Sequence, residues 1–188
     1  MASDFSTRLT AARSGDPVAI SEAFEATYDE LRRIARVQLR SMRPGETLRP
    51  TALVNEAFLR LVGHCVVPAD QGHFFALAAR AMRHVLVDYA RERGAQKRGG
   101  DRRRTTLDES AISVDVIADE MLGIDRALTA LEQVDERLAR LVEWRFFGGM
   151  TEDQIAETMG VTGRTVRRDW QKARAFLYRE LRKGTGAS

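Results

Sequence analysis

The chain has 188 residues, 44% hydrophobic, 30% charged and 7% aromatic, with a net charge of +3; that is enough apolar content for a packed core and too much for disorder throughout. The uncharged run from Leu61 to Ala69 falls well short of the about 20 apolar residues a membrane helix needs. The N-terminus, Met1-Ala2-Ser3-Asp4-Phe5-Ser6, has no basic-then-apolar signal pattern, so a cytoplasmic location without a membrane partner is expected, and the lone Cys65 excludes an internal disulfide or a multi-cysteine zinc site.

Periodicity is helical nearly everywhere, and no run alternates cleanly enough for a strand. After Gly15-Asp16-Pro17, apolar residues Ile20, Phe24, Tyr28, Leu31, Ala35 and Leu39 recur at three or four residues until Arg43-Pro44-Gly45 stops the pattern. A second helix is predicted after Pro50, with Thr51 as N-cap, carrying Leu53, Val54, Ala57, Phe58 and Leu61. Gly63 and Pro68 bracket a loop. A third, long helix runs from about Gln71 to Lys97 and buries Phe74, Leu77, Ala78, Ala81, Val85, Leu86 and Tyr89, ending at Gly99-Gly100.

From Asp101 to Met121 no periodicity is sustained, which reads as a linker, although Ile112, Val114, Val116 and Ile117 give parts of it something to dock. Helices resume through Ile124, Leu128, Leu131, Leu138, Leu141, Val142 and Phe146. The expectation is an all-α chain of two small helical domains, 1–100 and 124–188, joined by a linker over 101–123.

Charge falls in blocks. Nine basic residues face three acids between Arg80 and Arg104; nine acids face only Arg126 between Thr105 and Glu136; eight basic residues face Asp169 and Glu180 beyond Gly160. Two basic segments separated by an acidic one suggest two surfaces for a polyanion. The basic residues are 27 Arg to 3 Lys, which favours phosphate or base contacts because a guanidinium forks bidentately.

The run from Thr151 to Arg168 has the form of a helix-turn-helix. Thr151 and Gln154 make a capping box, Gly160 sits where the turn needs positive φ, Val161 points back to the core, and Thr162 caps the second helix. Val166, Trp170, Ala173 and Leu177 share an inward face, while Arg164, Arg167, Arg168, Gln171 and Lys172 share the outward one. A recognition helix needs such forked donors near its N-terminus, to reach base edges and phosphates in the major groove. Trp144 and Trp170 read as core.

No Gly-rich phosphate loop, paired-carboxylate cleft or metal motif appears, so neither catalysis nor a cofactor is expected. His64, Cys65 and His73 match no common zinc spacing.

The C-terminal block, with Leu131-Glu132-Gln133-Val134-Asp135-Glu136 before Phe146-Phe147-Gly148-Gly149-Met150-Thr151, resembles domain 4 of bacterial sigma factors of the extracytoplasmic-function (ECF) group. Leu53-Val54-Asn55-Glu56-Ala57-Phe58-Leu59-Arg60-Leu61 is similar to that group's polymerase-binding segment in domain 2. Ala81-Met82-Arg83-His84-Val85-Leu86-Val87-Asp88-Tyr89-Ala90-Arg91 is similar to its −10-reading helix. The motifs follow in the family's order and cover most of the chain.

The resemblance implies a promoter-specificity subunit whose partners are the clamp of the RNA polymerase core and promoter DNA. It implies polymerase contacts at Leu53, Asn55, Glu56 and Leu59. For the melted −10 element it implies Arg80, Arg83, His84, Asp88 and Arg91 on the exposed face of the third helix. For the −35 element it implies Thr162, Arg164, Arg167, Arg168, Gln171 and Lys172. His84 stands where the family often has Asn. Phe74 and Phe75 read either as core or as a platform for a flipped base. An anti-sigma factor is a further partner left open, and the alternative reading is a free-standing helix-turn-helix regulator on duplex operators.

One departure bears on regulation. Many ECF sigma factors carry an acidic cluster before the polymerase-binding segment, where this chain has Arg49-Pro50-Thr51-Ala52. An arginine facing a basic clamp costs complementarity. A phosphate on Thr51 would restore about −1.5 to −2 charge at a helix start that favours anions. Some groups of the family that lack these acids are understood to be switched by a Ser/Thr kinase, and Thr51 is the expected phosphorylation site here.

Overall fold

The computed structural model of the chain describes residues 17–42, 48–63, 68, 70–99 and 109–185. Seven helices and no strand occur among them, as the helical periodicity predicts. His64, Cys65 and Arg102 to Arg104 lie outside the described residues, as do the side chains of Ile20, Ile112, Val114, Val116 and Ile117.

The first helix, α1 (Pro17–Met42), starts on Pro17, whose missing N–H costs nothing at that position. It buries Phe24, Leu31, Ile34, Ala35 and Leu39. The Phe24 ring stacks on Phe58 of α2 (Pro50–Gly63) with centroids 4.0 Å apart and meets Tyr28 edge-on at 5.5 Å. The start of α2 differs from expectation. The Leu53 N–H donates to the Arg49 carbonyl at 3.0 Å, so Arg49 holds the cap position and Thr51 is the second helical residue rather than the N-cap. Proline decides this, because it favours the first helical position.

The central element is α3 (Gln71–Gly99). Ala76, Ala78, Ala79, Ala81 and Ala90 are buried along it beside Met82, Val85, Leu86 and Val87, and these small side chains let neighbours approach from several directions. It packs against α2 on one side and against α4 (Glu109–Val134), α5 (Glu136–Phe146) and α6 (Glu152–Met159) on the others. Phe74 and Phe75 are 1% and 3% exposed, which makes them core and removes them as a platform for bases.

The stretch 101–123, expected as a linker, differs from that reading beyond its start: from Glu109 onward it is helical and continuous with the rest of α4. No proline interrupts Glu109 to Val134, and Met121, Leu128 and Leu131 bury their side chains at helical spacing. Only Asp135 separates α4 from α5, and its carboxylate accepts the Leu138 N–H at 3.1 Å. The last helix is α7 (Gly163–Thr185). Buried residues from Phe24 in α1 to Ala173 in α7 form one contiguous cluster.

The turn between α5 and α6 is seated on the N-terminal helices. Phe147 is fully buried, and Gly149 has φ +61°. A Cβ on Gly149 would lie 2.7 Å from Ile34 Cγ1, and one on Gly148 would lie 3.0 Å from Ala79 Cβ. The buried Gln38 of α1 donates from Nε2 to the Phe146 carbonyl at 2.6 Å. Only glycines permit this approach.

Candidate nucleic-acid interface

Three outward surfaces carry the residues singled out in the sequence. On α2, Asn55 and Glu56 are exposed and Leu59 is 64% exposed. With Val62 they form one stripe, because positions three and four apart share a helix face. Leu53 belongs to the opposite face. It is fully buried, so its expected place among surface contacts is corrected to a core role that holds α2 in position. Thr51 is half-buried and Arg49 exposed at the helix start.

On α3, the exposed stripe is Arg80, His84 and Arg91, with Asp88 half-buried between them. Asp88 pairs with Arg60 of α2 at 3.0 Å and with Arg91 at 3.5 Å. His84 is held below the ordinary imidazole value, first by loss of water around the ring and then by the positive charge of Arg80, Arg83 and Arg60. The neutral ring this favours carries one donor and one acceptor nitrogen.

Arg83 was expected on this exposed face and is not there. It is buried at 8% exposure, with Nε and Nη2 on Asp125 Oδ1 at 3.0 and 2.8 Å and Nη1 on Glu143 Oε1 at 3.1 Å. The reason is geometric. Arg80, His84, Asp88 and Arg91 fall on one line along the helix, whereas position 83 is turned about 60° from Arg80, toward α4 and α5. Burial raises the Glu143 carboxyl above its ordinary value, outweighing the opposing pull of Arg83. Between α3 and α4 lies a cleft of about 370 Å³, walled by the α3 stripe on one side and by Asp125, Thr129 and Glu132 on the other.

The helix-turn-helix is built as the sequence predicts. Thr151 Oγ1 accepts the Gln154 N–H at 3.3 Å, and Gln154 Oε1 accepts the Thr151 N–H at 2.8 Å. Gly160 has φ +64°, and the Thr165 N–H donates to Thr162 Oγ1 at 3.2 Å. Ile155, Val166 and Ala173 are buried. Trp144 and Trp170 are half-buried against the core, and the Arg145 guanidinium covers the Trp170 ring at 4.4 Å. Thr162, at the cap, and Arg164, Arg167, Arg168, Gln171 and Lys172, along one side of α7, are all exposed. Arg167 is braced by Glu152 at 2.6 Å.

Several residues that shape these surfaces were not anticipated. Asp169 is 3% exposed and pairs with Arg137 of α5 and with Arg168. Its position between Val166 and Ala173 on the inward spacing was the available signal. Gln38, Asp125 and Glu143 gave none, because their partners lie far away in sequence. Among the described residues no cluster of His, Cys, Asp and Glu suits a metal ion, and no helix is long and apolar enough to cross a membrane.

The family model described as ECF sigma factor matches residues 2–183. No curated protein and no solved structure matches the chain. A match of that extent, over a helical chain with a formed helix-turn-helix and a second basic helix face, shows that the chain belongs to the ECF sigma factors of the sigma-70 family, which act in transcription initiation with RNA polymerase core and promoter DNA.

Proposed function

We propose that this chain directs promoter recognition through three separate surfaces and that phosphorylation of Thr51 activates it. Residues 1–100 serve as domain 2 and residues 124–188 as domain 4. The α2 stripe of Asn55, Glu56 and Leu59 docks on the polymerase clamp, the α3 stripe of Arg80, His84, Asp88 and Arg91 contacts the melted −10 strand, and the outward side of α7 holds the −35 duplex. The observation that carries this reading is the exposure of the cap Thr162 and of all five α7 positions, at the N-terminal end of the recognition helix. Two modest DNA surfaces joined to one polymerase gain by effective concentration what neither achieves alone.

The Thr51 proposal rests on charge and position. Arg49 is exposed where the family carries acids, and Thr51 lies in the first turn of α2, where free N–H groups and the macrodipole favour a phosphate. Binding to RNA polymerase core is compared for unmodified, Thr51-phosphorylated and Thr51→Ala protein. Tight binding by the phosphorylated form alone is expected. Equal tight binding by all three retains the sigma factor and removes the switch. Specific duplex binding with no polymerase binding by any form would replace this reading with a free-standing regulator.

A further inference from the structure

On the outward side of α7, Arg167 is tied across the turn to Glu152, the first residue of α6, with Nη1 donating to Oε1 at 2.6 Å. The pair joins the two helices outside their shared core. A Cβ on Gly163, the first residue of α7, would lie 3.3 Å from that same carboxylate oxygen. The absent side chain at Gly163 therefore leaves room for Glu152 to reach the recognition helix.

The side chains of Arg167 and Glu152 are 65% and 26% exposed, and an ion pair so open to water adds little to folding. A carboxylate on a surface meant for duplex DNA also works against attraction to the phosphate backbone. Neither stability nor general affinity accounts for the pair. What it supplies is direction. A guanidinium anchored through one Nη1–H gives up side-chain freedom before DNA arrives, which lowers the cost of binding in that pose. Its Nε–Nη2 edge keeps two parallel donors, the fork that fits N7 and O6 of guanine in the major groove. Arg167 lies one turn beyond the Thr162 cap, where recognition-helix residues reach base edges.

We propose that Arg167 reads a guanine in the −35 duplex and that Glu152 is its positioning residue, favouring discrimination between bases over general attraction to DNA. The inference rests on the reading of α7 as the duplex surface and deepens it. Glu152 acts only through Arg167.

The test is selection by the full-length chain, at low salt, from a pool of duplexes with a randomised window. Wild type is expected to enrich a site with one guanine to which the Arg167→Ala chain is indifferent. Glu152→Ala is expected to lower the preference for that guanine about tenfold, the scale of a single bidentate base contact. Its binding to an unrelated duplex is expected to tighten about twofold, because a negative charge has left the surface. A damaged fold would weaken both. Glu152→Gln keeps the side-chain shape and an oxygen for Nη1, and is expected to share the gain on unrelated duplex while retaining more of the preference. In an Arg167→Ala background, Glu152→Ala is expected to change no base preference.

An unchanged guanine preference in Glu152→Ala would overturn the positioning role, and an Arg167→Ala chain that keeps every preference would overturn the base contact. Arg164→Ala with Lys172→Ala separates this inference from the reading beneath it. If those changes weaken duplex binding and Glu152→Ala alters no preference, only the inference fails; if they leave binding unchanged, or if wild type enriches no site, the α7 surface itself is misassigned.

Discussion

The basic faces of α3 and α7 carry similar residues and live in opposite electrostatic surroundings. On α7, Arg164, Arg168 and Lys172 are exposed, and the acid nearest them, Asp169, is buried, where Arg137 and Arg168 share it. On α3, Arg91 meets Asp88 on its own helix and Asp125 across the cleft, while Arg83 is buried. One face is displayed and the other is screened by the chain itself. A guanidinium in water gains little from an ion pair, but one withdrawn from water depends on its partners. The same residue type is thus displayed on one helix and used for cohesion on the other.

Removing a charge from each face should widen that contrast. Arg83→Ala strands Glu143 and leaves Asp125 with Arg91 alone, and is expected to cost about 3 kcal/mol in urea unfolding. Arg164→Ala, at an exposed position of α7, should stay within about 0.5 kcal/mol of wild type while weakening binding to −35 duplex. A comparable loss of stability in both would erase the distinction between the two faces.

The two left-handed glycines divide along the same line. Gly149 is pressed against Ile34, whereas a Cβ on Gly160 would meet open space. Gly149→Ala adds a steric clash to backbone strain and is expected to cost about 2 kcal/mol or more, Gly160→Ala about 1 kcal/mol. Chemical denaturation of the two variants side by side orders them, and the reverse order would dissolve the seat of the turn on α1. Thr151→Ala tests the displayed half alone, through the loss of a capping box, at about 1 kcal/mol.

The smallest effect concerns pH. The Glu143 carboxyl is raised above its ordinary value near 4.5, chiefly by burial, so the folded chain holds that proton more readily than the unfolded one. Its contribution is fully present below the unfolded value and declines as pH rises through the folded value. Glu143→Gln should therefore lose less stability than wild type between pH 4.5 and 7. A wild type that gains relative to the variant over that interval would contradict the buried state of Glu143.

What could be read from the sequence was what local spacing and caps determine. The limits of α1 and α3, the Thr151–Gln154 box, the Gly160 turn and the Thr162 cap all follow from residues within a few positions of one another. The misplacements share a different cause. Arg83 looked like a surface base because Asp125, 42 residues away, is invisible to periodicity. Leu53 was grouped with Leu59 although six positions put them on different faces of α2. The start of α2 was readable, since Pro50 already marks the first helical position, but Thr51 has the chemistry of a cap and drew the assignment. The acidic stretch beyond Glu109 hid its helix because charged residues mask an apolar spacing that becomes regular only from Met121.

The single residue between α4 and α5 has a mechanical consequence. With only Asp135 at that junction, and its carboxylate tied to the Leu138 N–H, α4 and α5 have little room to bend against each other. The two carboxylates that hold Arg83, Asp125 on α4 and Glu143 on α5, therefore arrive at a set spacing, and the corner works as a jig that fixes where a guanidinium can be received.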